Sequence, residues 1–191
     1  MIVALSVMGA VFAVGYGALV SIRSHRARVD AVASEAQHGA AVRRGLRDWL
    51  WGARLVADDG GPEFRGIDGV DGSDEDDDLS FLTNAPTPLG PSNTLVHLYV
   101  DRDPATPERG LVAELREWHG VRMRRVEVEP NATALEIRYL SGTRDGTAWL
   151  PSWISASILP RAVEIRISAR QKDAVPALLR LPILVTFGGG G

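Results

Sequence analysis

The chain begins with an uncharged apolar run of 22 residues that ends at Arg23, the first charged residue. At about 1.5 Å of rise per residue, a helix of this length spans about 33 Å, against about 30 Å of hydrocarbon in a bilayer. A secretory signal peptide has a basic start and a shorter apolar core. A buried helix of a soluble protein seldom continues so far without a polar residue. The run therefore predicts a transmembrane helix over residues 1–22.

The residues after this run predict an amphipathic helix that continues it. No proline occurs between Arg23 and Ala57, and apolar residues recur there at steps of three and four. These positions are Val42, Leu46, Trp49, Leu50, Ala53 and Val56. We therefore expect one long helix, with a membrane half at 1–22 and an amphipathic half at 23–57, that ends at the acidic turn beginning with Asp58.

An acidic stretch follows the predicted helix. From Asp58 to Asp78 the chain has ten acidic residues and one arginine, a net charge of −9, so the rest of the chain carries +6. Residues 58–93 are rich in Gly, Pro and Asp and predict a loop. Alternate carboxylates in this loop are candidate calcium ligands: Asp74, Asp76 and Asp78. The EF-hand pattern fails, because Leu79 stands where glycine is required, and the ordinary interpretation is a solvated, self-repelling loop.

From about residue 94 the pattern changes to a period of two residues, which is typical of half-buried strands. We expect a β-rich body over 94–191, with a turn at Asp145-Gly146 and a strand buried on one face around Ile165. The predicted strands are Thr94–Val100, Leu111–Glu117, Val121–Val128, Leu135–Leu140, Thr147–Trp149, Ala162–Ser168 and Ile183–Phe187. The predicted fold class is therefore α+β, with a long N-terminal helix packed on an antiparallel β body.

No motif in the sequence indicates catalysis. The nucleophile elbow, the phosphate-binding loop and the dinucleotide-binding glycine pattern are absent, and the absence of cysteine excludes disulfides and thiolate metal sites. The histidines have no metal-ligand spacing: His25, His38, His97 and His119. We expect His97 to be a strand residue that faces polar neighbours. The basic patch around Arg124 lacks interleaved aromatic residues, which argues against nucleic-acid binding. We expect no enzyme activity, no small-molecule substrate and, calcium apart, no cofactor.

Three segments of the chain carry a family resemblance. The first, MIVALSVMGAVFAVGYGAL, is similar to the N-terminal helix of type IV pilins just after its glutamate. The second, LRDWLWGARLVADDGGPEFRG, resembles a helix end with an acidic glycine turn and a Phe-x-Gly entry to a sheet. The third, LEIRYLSGTRDGTAWLPSWISASILPRAVEIRISA, has a strand, a turn, two tryptophans, Leu-Pro and an alternating strand in the order of the family's C-terminal half. Together they resemble the J-type minor pseudopilins of type II secretion, within the type IV pilin-like superfamily.

The resemblance implies a pilin-like fold and a structural role. Such proteins join other minor pseudopilins, notably the I and K types, at the tip of the type II secretion pseudopilus. There they assist the export of folded proteins across the outer membrane. It also implies a single-pass protein of the inner membrane with its C-terminal body in the periplasm. Two alternatives stay open: a type IV pilus minor pilin, and a membrane-tethered periplasmic domain that binds a ligand or calcium.

The start of the sequence differs from the family pattern. Pilin-like proteins have a short basic leader that ends in glycine and is followed by Phe-Thr-Leu-x-Glu. This sequence begins at Met1 with Met-Ile-Val-Ala-Leu, which is similar to the apolar run that follows this glutamate. We therefore expect Met1 to be an internal methionine of a longer coding frame. A basic leader would also hold the N-terminal flank in the cytoplasm.

Overall fold

The structure is a computed structural model that describes residues 29–56, 61–69, 77–91, 93–143, 146–171 and 174–187. One helix, α1, covers residues 29–51 of this part. The strands are β1 (Ala53–Arg54), β2 (Phe64–Ile67), β3 (Asp78–Thr83), β4 (Thr94–Asp101), β5 (Gly110–Glu117), β6 (Met123–Glu129), β7 (Ala134–Thr143), β8 (Gly146–Leu150), β9 (Trp153–Ser155), β10 (Ala162–Ser168) and β11 (Ile183–Thr186). The chain divides into two compact units, residues 1–38 and 39–191, and all these strands belong to the second.

The described strands form two antiparallel sheets. The larger has the order β6-β5-β4-β3-β2-β9, and β1 also pairs with β3. The smaller has the order β11-β10-β7-β8. In β10 the residues Val163, Ile165 and Ile167 are buried, whereas Arg166 is exposed. The predicted one-sided burial of this strand is therefore confirmed.

One hydrophobic core contains residues of both sheets and of α1. Phe64 of β2 lies at its aromatic centre, since its ring centroid is 5.9 to 6.3 Å from three other rings: Phe81, Tyr139 and Phe187. Leu46 and Leu50 of α1 are 3 % and 1 % exposed and belong to the same core. The apolar helix face predicted at these two positions is confirmed.

The helix ends at Trp51, earlier than the periodicity predicted. The end of β3 approaches the next residue, Gly52, very closely. A Cβ at Gly52 would lie 2.7 Å from the hydroxyl of Thr83 and 2.8 Å from Ala85. Ala53, which the sequence placed on the helix, pairs instead with Thr83 as part of β1. Contact with a distant strand therefore overrides the local helical pattern.

The predicted fold class, an α+β pilin-like fold with a long N-terminal helix, is wrong. The described residues are mostly antiparallel sheet, with one helix over residues 29–51. Two strands, β2 and β3, lie within residues 58–93, which the composition predicted as a loop. These strands are short, and β2 depends on partners as distant as β9 for its hydrogen bonds. Pairing with a distant strand cannot be recognised from the composition of the segment itself.

The described helix does not have the character of a membrane span. It carries charged residues from Asp30 to Asp48, and in the part of the chain that the structure describes no helix is long and apolar enough to cross a bilayer. The expected localisation, a single-pass inner-membrane protein with a periplasmic body, is therefore corrected: it is not supported. The predicted transmembrane helix over 1–22 lies outside the described residues.

Candidate interaction surface

Residues 146–160 form an uncharged stretch in a chain in which 24 % of residues are charged. The stretch contains β8, β9 and the turn after β9, and is referred to below as the β8–β9 edge. In the described sheets β8 pairs with β7 alone and β9 pairs with β2 alone. Each strand thus has one side on which no described strand pairs with it, and a further strand could add there.

The β8–β9 edge also exposes large apolar side chains. All five residues of β8 are exposed. Side-chain exposure between 37 % and 63 % is found at Trp149, Leu150, Ile154 and Ile158. Edge strands are usually protected by charge, as in β6 at the opposite edge of the larger sheet, where Arg124 and Glu127 are exposed. No charge of this kind protects β8 or β9.

Hydrogen bonds order the turn that follows β9. The hydroxyl oxygen of Ser155 accepts the N–H groups of Ser157 and Ile158 at 3.2 and 3.0 Å. The indole Nε1–H of Trp153 donates to the carbonyl oxygen of Ile158 at 3.1 Å. Ile158 is therefore presented on a preformed turn, which reduces the entropy lost when a partner binds.

A cavity of about 360 Å³ adjoins this edge beside Trp149 and Pro151. Its walls include three carboxyl side chains and one guanidinium: Asp68, Asp77, Glu136 and Arg138. The β8–β9 edge therefore has exposed apolar side chains and adjoins a concave, mainly acidic surface. This arrangement offers contacts to a protein partner with both apolar and basic side chains.

Asp77 is the buried carboxylate of this cavity, with 3 % exposure. Its side chain accepts the backbone N–H groups of Gly69, at 3.2 Å, and of Ile137. Its own N–H donates to the carbonyl of Leu135 at 3.1 Å. Desolvation raises the pKa of Asp77 to about 6, although the two hydrogen bonds act in the opposite direction. Asp77 thereby ties the segment between β2 and β3 to β7.

Tyr139 of β7 lies close to Asp77, but its side chain is not accessible to a ligand. Its side chain is fully buried, and its hydroxyl has no hydrogen-bond partner among the described residues. A Cβ at Gly66 would lie 1.8 Å from that hydroxyl, so only glycine fits there without movement. Burial raises the pKa of Tyr139, and the charges of Asp77 and Asp78 raise it further. The phenol is therefore a neutral packing group.

The structure describes one of the three candidate calcium ligands. Asp74 and Asp76 lie outside the described residues. The Oδ1 atom of Asp78 is 2.7 Å from Nε2 of His97, whose ring stacks on Tyr99 at 4.7 Å. The prediction that His97 is a strand residue facing polar neighbours is confirmed. Within the described ranges no group of three or more acidic or histidine side chains could hold a metal ion.

Two features of this surface were not singled out from the residue patterns. Trp149 and Trp153 are two of the five tryptophans in the chain. The sequence indicates core or interface packing for all five and does not distinguish these two. Asp77 cannot be distinguished from its acidic neighbours by sequence. One signal was available for the edge, namely the absence of charge from Gly146 to Pro160.

Comparison with known proteins does not give a family for this chain, since no family model and no curated protein matches it. A functional proposal thus depends on the β8–β9 edge and on the three segments quoted above.

Proposed function

We propose that this chain is a non-enzymatic assembly subunit that binds other proteins through the β8–β9 edge. One observation carries the proposal: two strands that lack a described neighbour on one side, and four exposed large apolar side chains, fall within one uncharged stretch. Protein interfaces have aromatic and aliphatic side chains at their centre and few charges there. Trp149 and Ile158 supply such side chains.

The free side of β8 indicates how a partner would bind. A strand of the partner can add to β8 through backbone hydrogen bonds and so extend the smaller sheet. Its side chains would then contact Trp149 and Leu150, which lie on opposite faces because strand side chains alternate. The ordered turn at Ile158 would give a second apolar contact.

For the partner class we propose other minor pseudopilins, of the I and K types, with a role in assembling the tip of the type II secretion pseudopilus. The support is the resemblance of the three segments, the third of which, residues 135–169, contains the β8–β9 edge. Neither a pilin-like fold nor an inner-membrane localisation forms part of the proposal. A type IV pilus minor pilin would have pilus subunits as its partners instead.

The test is binding of the full chain to the I- and K-type minor pseudopilins of the same organism, measured by co-purification and titration. We expect the wild type to bind. Ile154→Asp and Ile158→Asp should each weaken binding by about tenfold or more, because they place a charge inside an apolar contact. The matched control is Leu184→Asp on β11, at the other edge of the smaller sheet, where the side chain is 49 % exposed. It should bind like the wild type.

Two results would contradict different parts of the proposal. Absence of binding to either pseudopilin would contradict the partner class. Absence of any protein adduct in cells, when a photocrosslinking residue replaces Ile158, would contradict the binding role of the edge. Thermal melts of each variant establish that loss of binding does not reflect loss of folding.

A further inference from the structure

Strand β8, Gly146–Leu150, lies at one edge of the smaller sheet and, among the described strands, pairs with β7 alone. All five of its residues are exposed, and none is charged. The nearest charged residues along the chain are Asp145 before the strand and Arg161 well after it. Like charges directly opposite each other destabilise a pair of strands. Two copies of β8 can therefore pair with each other without repulsion between the paired residues.

A two-fold axis through the middle of β8 defines a register for such a pair. Across a two-fold axis the same surface of each copy meets itself, and the contact is closed. The middle residue of the strand is Ala148, which then lies opposite Ala148 of the second copy. Thr147 lies opposite Trp149 of the second copy, and Gly146 lies opposite Leu150. This antiparallel register pairs all five residues of each strand.

The side chains that this register pairs are complementary in size. Gly146 has a φ of +138°, which favours glycine, and a Cβ there would have no described atom within 4 Å apart from its chain neighbours. The side chain of Leu150, which is 37 % exposed, can therefore cover Gly146 of the second copy. On the other face of the sheet Trp149 meets Thr147, and pairs of an aromatic with a β-branched residue stabilise antiparallel strands.

Backbone geometry disfavours the neighbouring registers. Residues opposite each other in antiparallel strands point their N–H and C=O groups either both towards or both away from each other. The next two-fold registers therefore centre on Thr147 or Trp149, and each pairs only three residues of β8. Pro151 follows the strand and has no N–H to donate, so the pairing cannot continue beyond Leu150. The register centred on Ala148 is thus the most extensive.

We propose that β8 pairs with β8 of a second copy of this chain about a two-fold axis at Ala148, and that this homodimer covers the strand until a partner replaces the second copy. The inference rests on the proposed function in one respect, because the second copy occupies the side of β8 to which a partner strand would add. The dimer gives the uncharged strand a specific neighbour. It thereby limits the unspecific pairing to which exposed edge strands are prone.

Single cysteine substitutions test the register directly, because the chain has no cysteine of its own. Across the axis the two Cα atoms of residue 148 would be about 4.5–5.5 Å apart, within the range of a disulfide. The two copies of residue 147 would be diagonal neighbours about 7–8 Å apart, which is too far. Under mild oxidation of the full chain, Ala148→Cys should form a disulfide-linked dimer about tenfold faster than Thr147→Cys. The matched control is Leu184→Cys on β11, which is also exposed at a sheet edge and should be slow.

Charge substitutions at the axis test the dimer without a covalent bond. Ala148→Lys places two like charges opposite each other, so it should raise the dissociation constant of the dimer by about tenfold or more, and Ala148→Glu should do the same. An equimolar mixture of these two variants should associate more tightly than either variant alone. Loss of folding would not give such a recovery. Sedimentation of the full chain over a range of concentrations measures all four samples, the wild type included.

The inference is overturned if Ala148→Cys forms dimers no faster than Leu184→Cys, or if the wild type and Ala148→Lys associate to the same extent. Its failure is distinguishable from failure of the proposed function. A disulfide at residue 148 without binding of a pseudopilin supports the dimer and contradicts the partner class. Binding of a pseudopilin without that disulfide overturns the dimer alone. Where both occur, added pseudopilin should slow disulfide formation by Ala148→Cys, and an unchanged rate would contradict replacement of the second copy by the partner.

Discussion

Single residues of the acidic run have very different surroundings. Asp77 is buried and accepts two backbone N–H groups, whereas the next residue, Asp78, is partly exposed and pairs with His97. Burial disfavours the charged form of a carboxylate more than these hydrogen bonds favour it at Asp77. Asp77 therefore holds this segment in place by hydrogen bonds, although the ionisation of its side chain lowers the stability of the folded state.

Asp77→Asn removes the charge of this side chain, so the variant should differ from the wild type in how its stability depends on pH. The pKa of Asp77 is about 6 in the folded chain, above its ordinary value of 3.8. The folded state therefore binds the proton more tightly, and the contribution of Asp77 falls as the pH rises from about 4 to about 7. The loss amounts to at most about 3 kcal/mol. Denaturant unfolding across this range should show the wild type losing stability relative to Asp77→Asn. Parallel curves for the two proteins would contradict the prediction.

At the scale of elements, α1 is fastened to the β strands from residue 39 onward. Leu46 and Leu50 fill the core, and a Cβ at Gly39 would lie 3.0 Å from Pro176. The guanidinium of Arg43 donates to three carbonyl oxygens before β11, at 2.5 to 2.9 Å: Leu178, Leu181 and Pro182. Residues 39–51 of the helix are therefore held against the strands by apolar packing and by the hydrogen bonds of Arg43.

Leu50→Ala tests the packing of this element. The side chain is 1 % exposed, so its truncation should lower the free energy of unfolding by about 2–5 kcal/mol. The matched control is Trp51→Ala in the same helix, where the side chain is 73 % exposed. Its cost should be about 0.5 kcal/mol or less, although the side chain is larger. Denaturant titration measures both variants. Equal costs, or a cost below about 1 kcal/mol at Leu50, would contradict the packing described here.

At the scale of the whole molecule, the second compact unit, residues 39–191, contains both sheets and every member of the core. A domain with its own hydrophobic core can fold alone. We therefore expect a fragment of residues 39–191 to fold cooperatively, with a circular dichroism spectrum dominated by strand. The control fragment, residues 52–191, lacks Leu46, Trp49 and Leu50 and should not give a cooperative melt. Non-cooperative melting of the longer fragment would show that the body depends on residues before 39.

Much of the β body was predictable because an element that is buried on one face has a periodic pattern of apolar residues in its own sequence. Alternating residues in β10, and the apolar positions Leu46 and Leu50 of α1, show in the sequence which side faces the core. The same reasoning explains the agreement at β4 and β5, whose predicted and observed bounds nearly coincide. It fails at β2 and at Ala53, where a distant strand decides the backbone conformation.

By itself the sequence determined which segments have a buried face, that acidic charge is concentrated between Asp58 and Asp78, and that residues 146–160 carry no charge. Only the tertiary structure decided that β8 and β9 lie at sheet edges and that Asp77 turns inward. The physical reason is the range of the interactions. Periodicity arises from each residue and its near neighbours, whereas edges and desolvation arise from pairings between residues far apart in the chain.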